Sequence, residues 1–150
     1  MQLTSSAFEN GSSIPQKYGR DFVNVNPPLT VTNVPKETVS LALIMDDPDI
    51  PTGFGFHIFD HWIVFNIPPT VTLIPEHWQV EGIRGVGTRG SLDYAGPRPP
   101  DREHRYFFKL FALDSVLDLP EGASKTQIMD AMQGHILDSA ELMGTYAPTV

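Results

Sequence analysis

Three polar segments of the sequence each lie at the end of an apolar run and beside proline or glycine. They are residues 46–51, 59–62 and 93–106. On a β scaffold, turns at strand ends are where binding and catalytic side chains concentrate. Carboxylates and imidazoles grouped in such turns can bind a metal, move a proton or hold an anion. These segments therefore contain the candidate functional residues of the chain.

The metal-binding patterns in these segments are incomplete. Asp47 and Asp49 open like a calcium loop, but the glycine and the final glutamate of that loop are both replaced. The two carboxylates could equally be turn formers beside prolines. His57 and His61 have the spacing of two zinc ligands on a helix, but their glycine-rich surroundings indicate a loop that enters a strand. We predict no metal site and no cofactor.

Covalent catalysis has weak support in the sequence. The chain has no cysteine, and Ser91 after Gly90 does not form the nucleophile elbow of a serine hydrolase. A triad of serine, histidine and aspartate assembled in space stays open as an alternative. The remaining prediction is a polar pocket in which His61 and His104 donate hydrogen bonds and a glycine–proline turn presents backbone N–H groups. Such a pocket suits phosphate or carboxylate and needs no catalytic residue.

Composition limits the class of protein. A chain of 150 residues predicts one domain over 1–150, and 41% hydrophobic content is enough for a globular core. A formal net charge of -8 disfavours nucleic acids and anionic membrane surfaces as partners. No apolar run approaches the length that crosses a bilayer, and residues 1–10 do not resemble a signal peptide. We expect a cytoplasmic protein without stable membrane insertion.

Proline and glycine fall between short β-branched or aromatic runs, which predicts many short strands. The expected strands are residues 1–4, 22–25, 29–33, 39–46, 61–67, 82–88 and 106–113. The run 39–46 is apolar on nearly both faces, as an inner strand of a sandwich would be.

Only the last quarter of the chain changes period. Ser124 and Gln127 have the spacing of a capping box at the start of a helix. Apolar residues at 128, 132, 136 and 140 then recur every four positions, which predicts a helix from Ser124 to about Gly144. A break near Gly134 or Ser139 is the alternative. The predicted fold is mainly β, an antiparallel β-sandwich of Greek-key type with a C-terminal α-helix packed on it.

Five segments of the chain, taken in order, resemble the phosphatidylethanolamine-binding proteins, a family that includes the Raf kinase inhibitor protein. The sequence Asp-Pro-Asp-Ile-Pro at 47–51 is similar to the D-P-D-x-P signature of the family, and His-Arg-Tyr at 104–106 resembles the end of its G-x-H-R motif. The other similar segments are residues 26–29, 61–68 and 96–100. The resemblance extends over nearly the whole chain and is to the bacterial and archaeal branch.

This resemblance implies a β-sandwich with a small anion pocket near one end. By motif position it assigns to the pocket Asp47, Pro51, His61, Gly96, Pro99, His104 and Tyr106. Asp49 and Arg105 would pair in a supporting shell, and Arg98 lies in the rim turn. Because His61 and His104 are the cationic candidates, we expect anion affinity to fall as the pH rises through the histidine pKa.

The resemblance further implies a non-catalytic binding or regulatory protein. Its ligand would be a phospholipid head group, a phosphate monoester or the phosphorylated side chain of a partner, and its protein partner a kinase or a protease. The branch also implies a homodimer. Two alternatives stay open: a hydrolase of small esters that uses Asp47 and His61 as acid and base, and a protease inhibitor that acts through the rigid loop 96–100.

Overall fold

Two antiparallel β-sheets and one α-helix form the fold of this computed structural model, which describes residues 1–149. The elements are β1 (Gln2–Thr4), a 3-10 helix (Gln16–Tyr18), β2 (Leu29–Thr32), β3 (Ser40–Asp47), β4 (Phe59–Ile67), β5 (Leu73–Ile74), β6 (Ile83–Arg84), β7 (His104–Leu113), α1 (Lys125–Met132) and β8 (Ile136–Tyr146). One sheet has the strand order β1-β2-β5, and the other has the order β6-β4-β3-β7-β8. The predicted mainly β fold with a C-terminal helix is confirmed.

Strand β3 is buried on both faces because the three-stranded sheet covers one face and α1 covers the other. Leu41, Leu43 and Met45 belong to the core cluster that also contains residues of the three-stranded sheet. Ala42 and Ile44 point the opposite way, into a smaller cluster that includes the buried face of α1. Alternate side chains of a strand face opposite sides of the sheet, so an inner strand must be apolar at nearly every position.

The helix is shorter than predicted, and the segment after it is a strand. The capping box of Ser124 and Gln127 is present, but α1 ends at Met132 and Gly134 follows with a φ of 80°. Residues 136–146 form β8, which pairs with β7 along its length. The prediction of a helix to Gly144 was wrong because positions four apart share one face of a strand as well as one face of a helix.

Two strand predictions were also wrong. Residues 22–23 belong to a turn and residues 24–25 have no regular structure, and Asn24 has a φ of 58° that an extended strand excludes. Within the predicted strand 82–88, only Ile83–Arg84 is a strand, because β6 pairs with β4 at just two positions. The two-residue strand β5 was not predicted, since so short a segment shows no alternation.

The two ends of the five-stranded sheet differ in chemical character. At one end Ser40, Leu113 and Ile136 are neighbours across three strands. At the other end β3 finishes at Asp47 and β7 begins at His104. That second end gathers the polar residues predicted from the sequence. Within residues 1–149, no helix has the length and apolar character needed to cross a membrane.

Two methionines of α1 test which face of the helix packs against the sheet. Met132 is 0% exposed and Met129 is 39% exposed. Met132→Ala should lower the free energy of unfolding by about 2–5 kcal/mol, because it leaves a cavity under the helix. Met129→Ala is the matched control and should change the free energy by less than about 0.5 kcal/mol. Urea unfolding measures both values, and equal losses would contradict this orientation of α1.

Candidate functional site

A cavity of about 310 Å³ opens at the polar end of the five-stranded sheet. The strands contribute Asp47 from β3, Phe59 and His61 from β4 and Tyr106 from β7. The remaining wall comes from loops and consists of Arg20, Asp21, Ile50, Pro51, Phe54, Phe56, Arg89, Arg98, Pro99, Pro100 and Thr149. We refer to this cavity as the sheet-end pocket.

Asp47 and His104 form a buried pair behind the pocket. The Nδ1 atom of His104 lies 2.6 Å from Oδ2 of Asp47, and its Nε2 lies 2.7 Å from Oδ1 of Asp101. Burial raises the pKa of Asp47, and the hydrogen bond with His104 opposes that rise. His104 is 0% exposed and both of its ring nitrogens are engaged, so it does not offer a donor to the pocket as the sequence predicted. Its contacts position Asp47 instead.

His61 lies in the pocket wall with one ring nitrogen engaged. Its Nδ1 lies 2.7 Å from the backbone carbonyl oxygen of Ala95. A carbonyl oxygen only accepts, so Nδ1 carries the hydrogen and Nε2 is the nitrogen available to a ligand. Burial lowers the pKa of His61 to about 4. The expectation that a charged histidine governs anion binding near neutral pH is therefore corrected: His61 is neutral there.

Three guanidinium groups supply the positive charge of the pocket. Arg20 and Arg89 lie over the ring of Phe59, with Cζ atoms 5.4 Å and 6.0 Å from its centroid. Arg98 stands at the rim, where its Nε lies 3.1 Å from Oδ2 of Asp21. One aromatic ring thus orients two cations by cation–π attraction, and the third cation is held by a carboxylate.

Arg20 is the partly buried member of this group. Its Nε atom is buried and has no hydrogen-bond partner among residues 1–149. Burial and the charges of Arg89 and Arg98 lower the pKa of Arg20. A buried donor without an acceptor costs free energy.

Arg20 and Arg89 were not predicted from the sequence. Arg89 lies in the turn 87–90, which has a glycine at each end, so the criterion that selected the other three segments would also have selected this one. Arg20 lies in an irregular loop after the 3-10 helix, and no local pattern distinguishes it from the other arginines. Only the approach of this loop to Phe59 brings Arg20 to the pocket.

Gly96 has a structural role and does not line the pocket. Its N–H donates to Oδ1 of Asn24 at 2.8 Å, so this backbone group is not presented to an anion as the sequence predicted. A Cβ atom at this position would collide with the backbone carbonyl oxygen of Tyr18. The glycine is required because two loops meet there without room for a side chain.

Asp49 and Arg105 form an ion pair with two parallel hydrogen bonds at the edge of the site. Nη2 of Arg105 donates to Oδ1 of Asp49 at 2.8 Å and Nε donates to Oδ2 at 3.0 Å. The backbone N–H of Arg105 also donates to Oδ2 at 2.9 Å. These hydrogen bonds hold the pKa of Asp49 down to about 2. The pair joins the loop after β3 to the first residues of β7.

The sheet-end pocket therefore unites most of the residues predicted for it. Asp47, Pro51, His61, Pro99 and Tyr106 line it, together with the rim residue Arg98. His104 and Gly96 lie outside its wall. Burial, and to a smaller extent the charge of Asp47, raise the pKa of Tyr106, so its hydroxyl stays protonated. Across residues 1–149, no group of three or more acidic or histidine side chains could hold a metal ion.

The fold is that of a known class of binding protein. The family model described as phosphatidylethanolamine-binding protein matches residues 4–147. The chain belongs to the phosphatidylethanolamine-binding protein family, which confirms the resemblance found in the sequence.

Related proteins extend over nearly the whole chain. A UPF0098 protein of Chlamydia muridarum is 48% identical over 147 residues, which cover 97% of this chain and 98% of the relative. A UPF0098 protein of Methanothermobacter thermautotrophicus is 45% identical over 152 residues, covering 97% and 98%. The crystal structure of a phosphatidylethanolamine-binding protein homologue from Chlamydia trachomatis has a TM-score of 0.93 at 46% identity and covers 97% of this chain and 95% of its own. YbcL of E. coli, described as a member of the mammalian family, has a TM-score of 0.87 at 28% identity, covering 97% and 96%.

The Asp49–Arg105 pair predicts an acid-sensitive contribution to stability. The pKa of Asp49 is about 2 in the folded protein, below the ordinary value of about 3.9. The stabilisation is therefore fully present above about pH 4 and is lost as the pH falls toward 2. Arg105→Gln should lower the urea midpoint at pH 6, and its difference from the parent protein should shrink between pH 4 and pH 2.

The control for this prediction is Arg102→Gln. Arg102 is 60% exposed and lies 3.8 Å from Asp101, too far for a hydrogen bond between them. Its replacement should lower the midpoint much less than Arg105→Gln does, because its charge is the smallest of the influences that lower the pKa of Asp49. A pH-independent loss in Arg105→Gln would show that the pair does not act through ionisation of Asp49.

Proposed function

We propose that this chain is a non-catalytic binding protein whose sheet-end pocket holds a small oxyanion, such as a phosphate monoester or a carboxylate. The observation that carries the proposal is the meeting of Arg20, Arg89 and Arg98 at one cavity in a chain with a formal charge of -8. Guanidinium groups bind phosphate and carboxylate oxygens through paired N–H donors. A phospholipid head group, a free monoester and a phosphorylated side chain share this anionic group.

The unpaired donor of Arg20 favours a ligand with acceptor atoms. Its buried Nε lacks a partner within residues 1–149, and an oxyanion oxygen would supply one. Among the same residues Arg20 and Arg89 have no carboxylate within 4 Å, unlike Arg98. Within the described residues, two of the three cations thus have no acidic partner, and they can attract an incoming anion.

Apolar walls make these polar contacts stronger than they would be at an open surface. Pro51, Pro99, Phe54, Phe56 and Phe59 line the same cavity. They reduce the access of water, so hydrogen bonds and charge attraction act in a lower effective dielectric. The phenol of Tyr106 stays protonated because burial raises its pKa, and it can donate to a ligand oxygen.

Binding without turnover agrees with the composition of the pocket wall. Its described residues include no serine, cysteine or lysine. Thr149 carries the one aliphatic hydroxyl there, and no imidazole lies within hydrogen-bond distance of it among residues 1–149. A covalent mechanism needs a nucleophile next to a base, so the arrangement favours holding an anion over transferring its acyl or phosphoryl group.

Removal of the two unneutralised cations tests anion binding. Arg20→Gln should weaken the binding of phenyl phosphate at pH 6 by about 1.5–3 kcal/mol, the scale of a charged hydrogen bond. Arg89→Gln should weaken it less, because Arg89 is exposed. Isothermal titration calorimetry measures both affinities, with the parent protein as reference.

The matched control for these variants is Arg84→Gln. Arg84 makes ion pairs with Asp93 and Glu121 and does not line the sheet-end pocket. Its replacement should leave the affinity unchanged. An equal loss in all three variants would point to diffuse attraction instead of a defined site, and unchanged affinity in Arg20→Gln would contradict the proposal.

We further propose the homodimer expected from the sequence, formed through the apolar end of the five-stranded sheet. Exposed hydrophobic side chains at or near the strand ends there are Val39, Val116, Ile136 and Leu137. In the strand register, Ser40, Leu113 and Ile136 are neighbours at this end, which lies opposite the pocket. A second copy that covers this surface would leave both pockets open. The cytoplasmic location stays a prediction.

Sedimentation velocity tests this arrangement. The parent protein at high micromolar concentration should sediment as a dimer, whereas Leu137→Asp should sediment mainly as a 16.6 kDa monomer. Leu73→Asp is the control, since Leu73 is 55% exposed but lies in β5 of the other sheet. A parent protein that is monomeric at this concentration would contradict the proposal.

A further inference from the structure

The environment of His61 determines which of its nitrogens carries a hydrogen. The ring is 4% exposed, and its Nδ1 lies 2.7 Å from the carbonyl oxygen of Ala95. The backbone N–H of Ala95 donates to the carbonyl oxygen of His61 at 3.1 Å, so two hydrogen bonds hold these residues together. The ring cannot turn over without losing the contact of Nδ1. Nε2 therefore carries a lone pair, which is available to a ligand in the pocket.

The cations around His61 oppose a second proton on its ring. Arg20 from the loop after the 3-10 helix and Arg89 from the loop after β6 line the same pocket as His61. Arg20 acts on the ring as a positive charge that disfavours the imidazolium, and His104 of β7 acts in the same direction. These charges add to burial, which is the largest effect, and the pKa of His61 is lowered to about 4.

The acidic groups near His61 have other partners. Asp46 of β3 is bound by Lys109 at 3.1 Å and by Lys125 at 3.0 Å. Asp47 lies 2.6 Å from His104. Tyr106 of β7 stays protonated and adds no negative charge. The charge of Asp46 favours an imidazolium at His61, but the larger effect of burial outweighs it, so Nε2 stays an acceptor near neutral pH.

We propose that His61 makes the sheet-end pocket selective for phosphate groups that carry a proton, an inference that rests on the proposed anion binding. A phosphate monoester monoanion has one P–OH group, which can donate to Nε2 while its other oxygens accept from the arginines. A dianion has only acceptor oxygens and would set a lone pair against Nε2. An ionised carboxylate or a sulfate ester also lacks the donor.

Two opposing effects act on the dianion. Its extra charge is attracted by Arg20, Arg89 and Arg98, whereas its contact with Nε2 is repulsive. Comparison of a phosphate ester with a sulfate ester separates the two effects. Phenyl phosphate monoanion and phenyl sulfate have the same charge and nearly the same shape, and only the phosphate carries a hydrogen.

Calorimetric titration of the unmodified protein with both esters provides the test. At pH 5.5 phenyl phosphate should bind about tenfold more tightly than phenyl sulfate, the factor that corresponds to one hydrogen bond of ~1.4 kcal/mol. Above the second pKa of the phosphate ester, about 6, its affinity should fall and binding should take up close to one proton from the buffer. Phenyl sulfate should show constant affinity from pH 5.5 to 8 and no proton uptake.

Each other outcome has a defined meaning. Equal affinities at pH 5.5 would overturn the inference. Proton uptake with phenyl sulfate as well would also overturn it, because the proton would then go to His61. If neither ester binds, the proposed anion site itself fails. Two variants complete the test: Arg20→Gln should weaken both esters by the same factor, and His61→Phe should bring their affinity ratio close to one.

Discussion

The polar end of this fold depends on the pairing of the buried carboxylate of Asp47. A carboxylate that is 2% exposed is stable only with hydrogen-bonded partners. Its Oδ2 contacts His104, and its Oδ1 accepts from the backbone N–H of Asp49 at 2.8 Å. Asp49 in turn binds Arg105. The Asp-Pro-Asp turn is thereby fastened to the first two residues of β7 by two adjacent pairs.

This arrangement explains why the two histidines of the motifs have different parts. His104 is used to satisfy Asp47 and Asp101, so it belongs to the framework behind the pocket. His61 is oriented by a neutral carbonyl group, so its second nitrogen remains for a ligand. The two side chains differ because Asp101 engages Nε2 of His104, whereas Nε2 of His61 has no hydrogen-bond partner among residues 1–149.

The sheet also separates charges that are adjacent in sequence. Asp46 and Asp47 are consecutive, and alternation along β3 sends them to opposite faces. Asp46 is held by Lys109 and Lys125 beside α1, whereas Asp47 faces the pocket. The charge of Asp46 therefore does not neutralise the arginines of the pocket, although Asp46 is next to the pocket residue Asp47 in the sequence. In this way an acidic protein maintains a cavity with cationic character.

Local patterns in the sequence determined the inner strand and the start of the helix. The alternation of 39–46 and the Ser124–Gln127 capping box depend on residues close together in the chain, so their structures follow from local geometry. The motifs at 47–51 and 104–106 were recognised by their resemblance to a family, and the pairs that join them link residues 56 and 57 positions apart. Tertiary structure decided what local geometry leaves undetermined. Residues 136–146 suit a helix or a strand equally until β7 pairs with them. Arg20 reaches the pocket through a loop whose position depends on distant contacts, and the tautomer of His61 is set by Ala95, 34 residues away. These features could not be predicted because the groups that determine them become neighbours only when the chain folds.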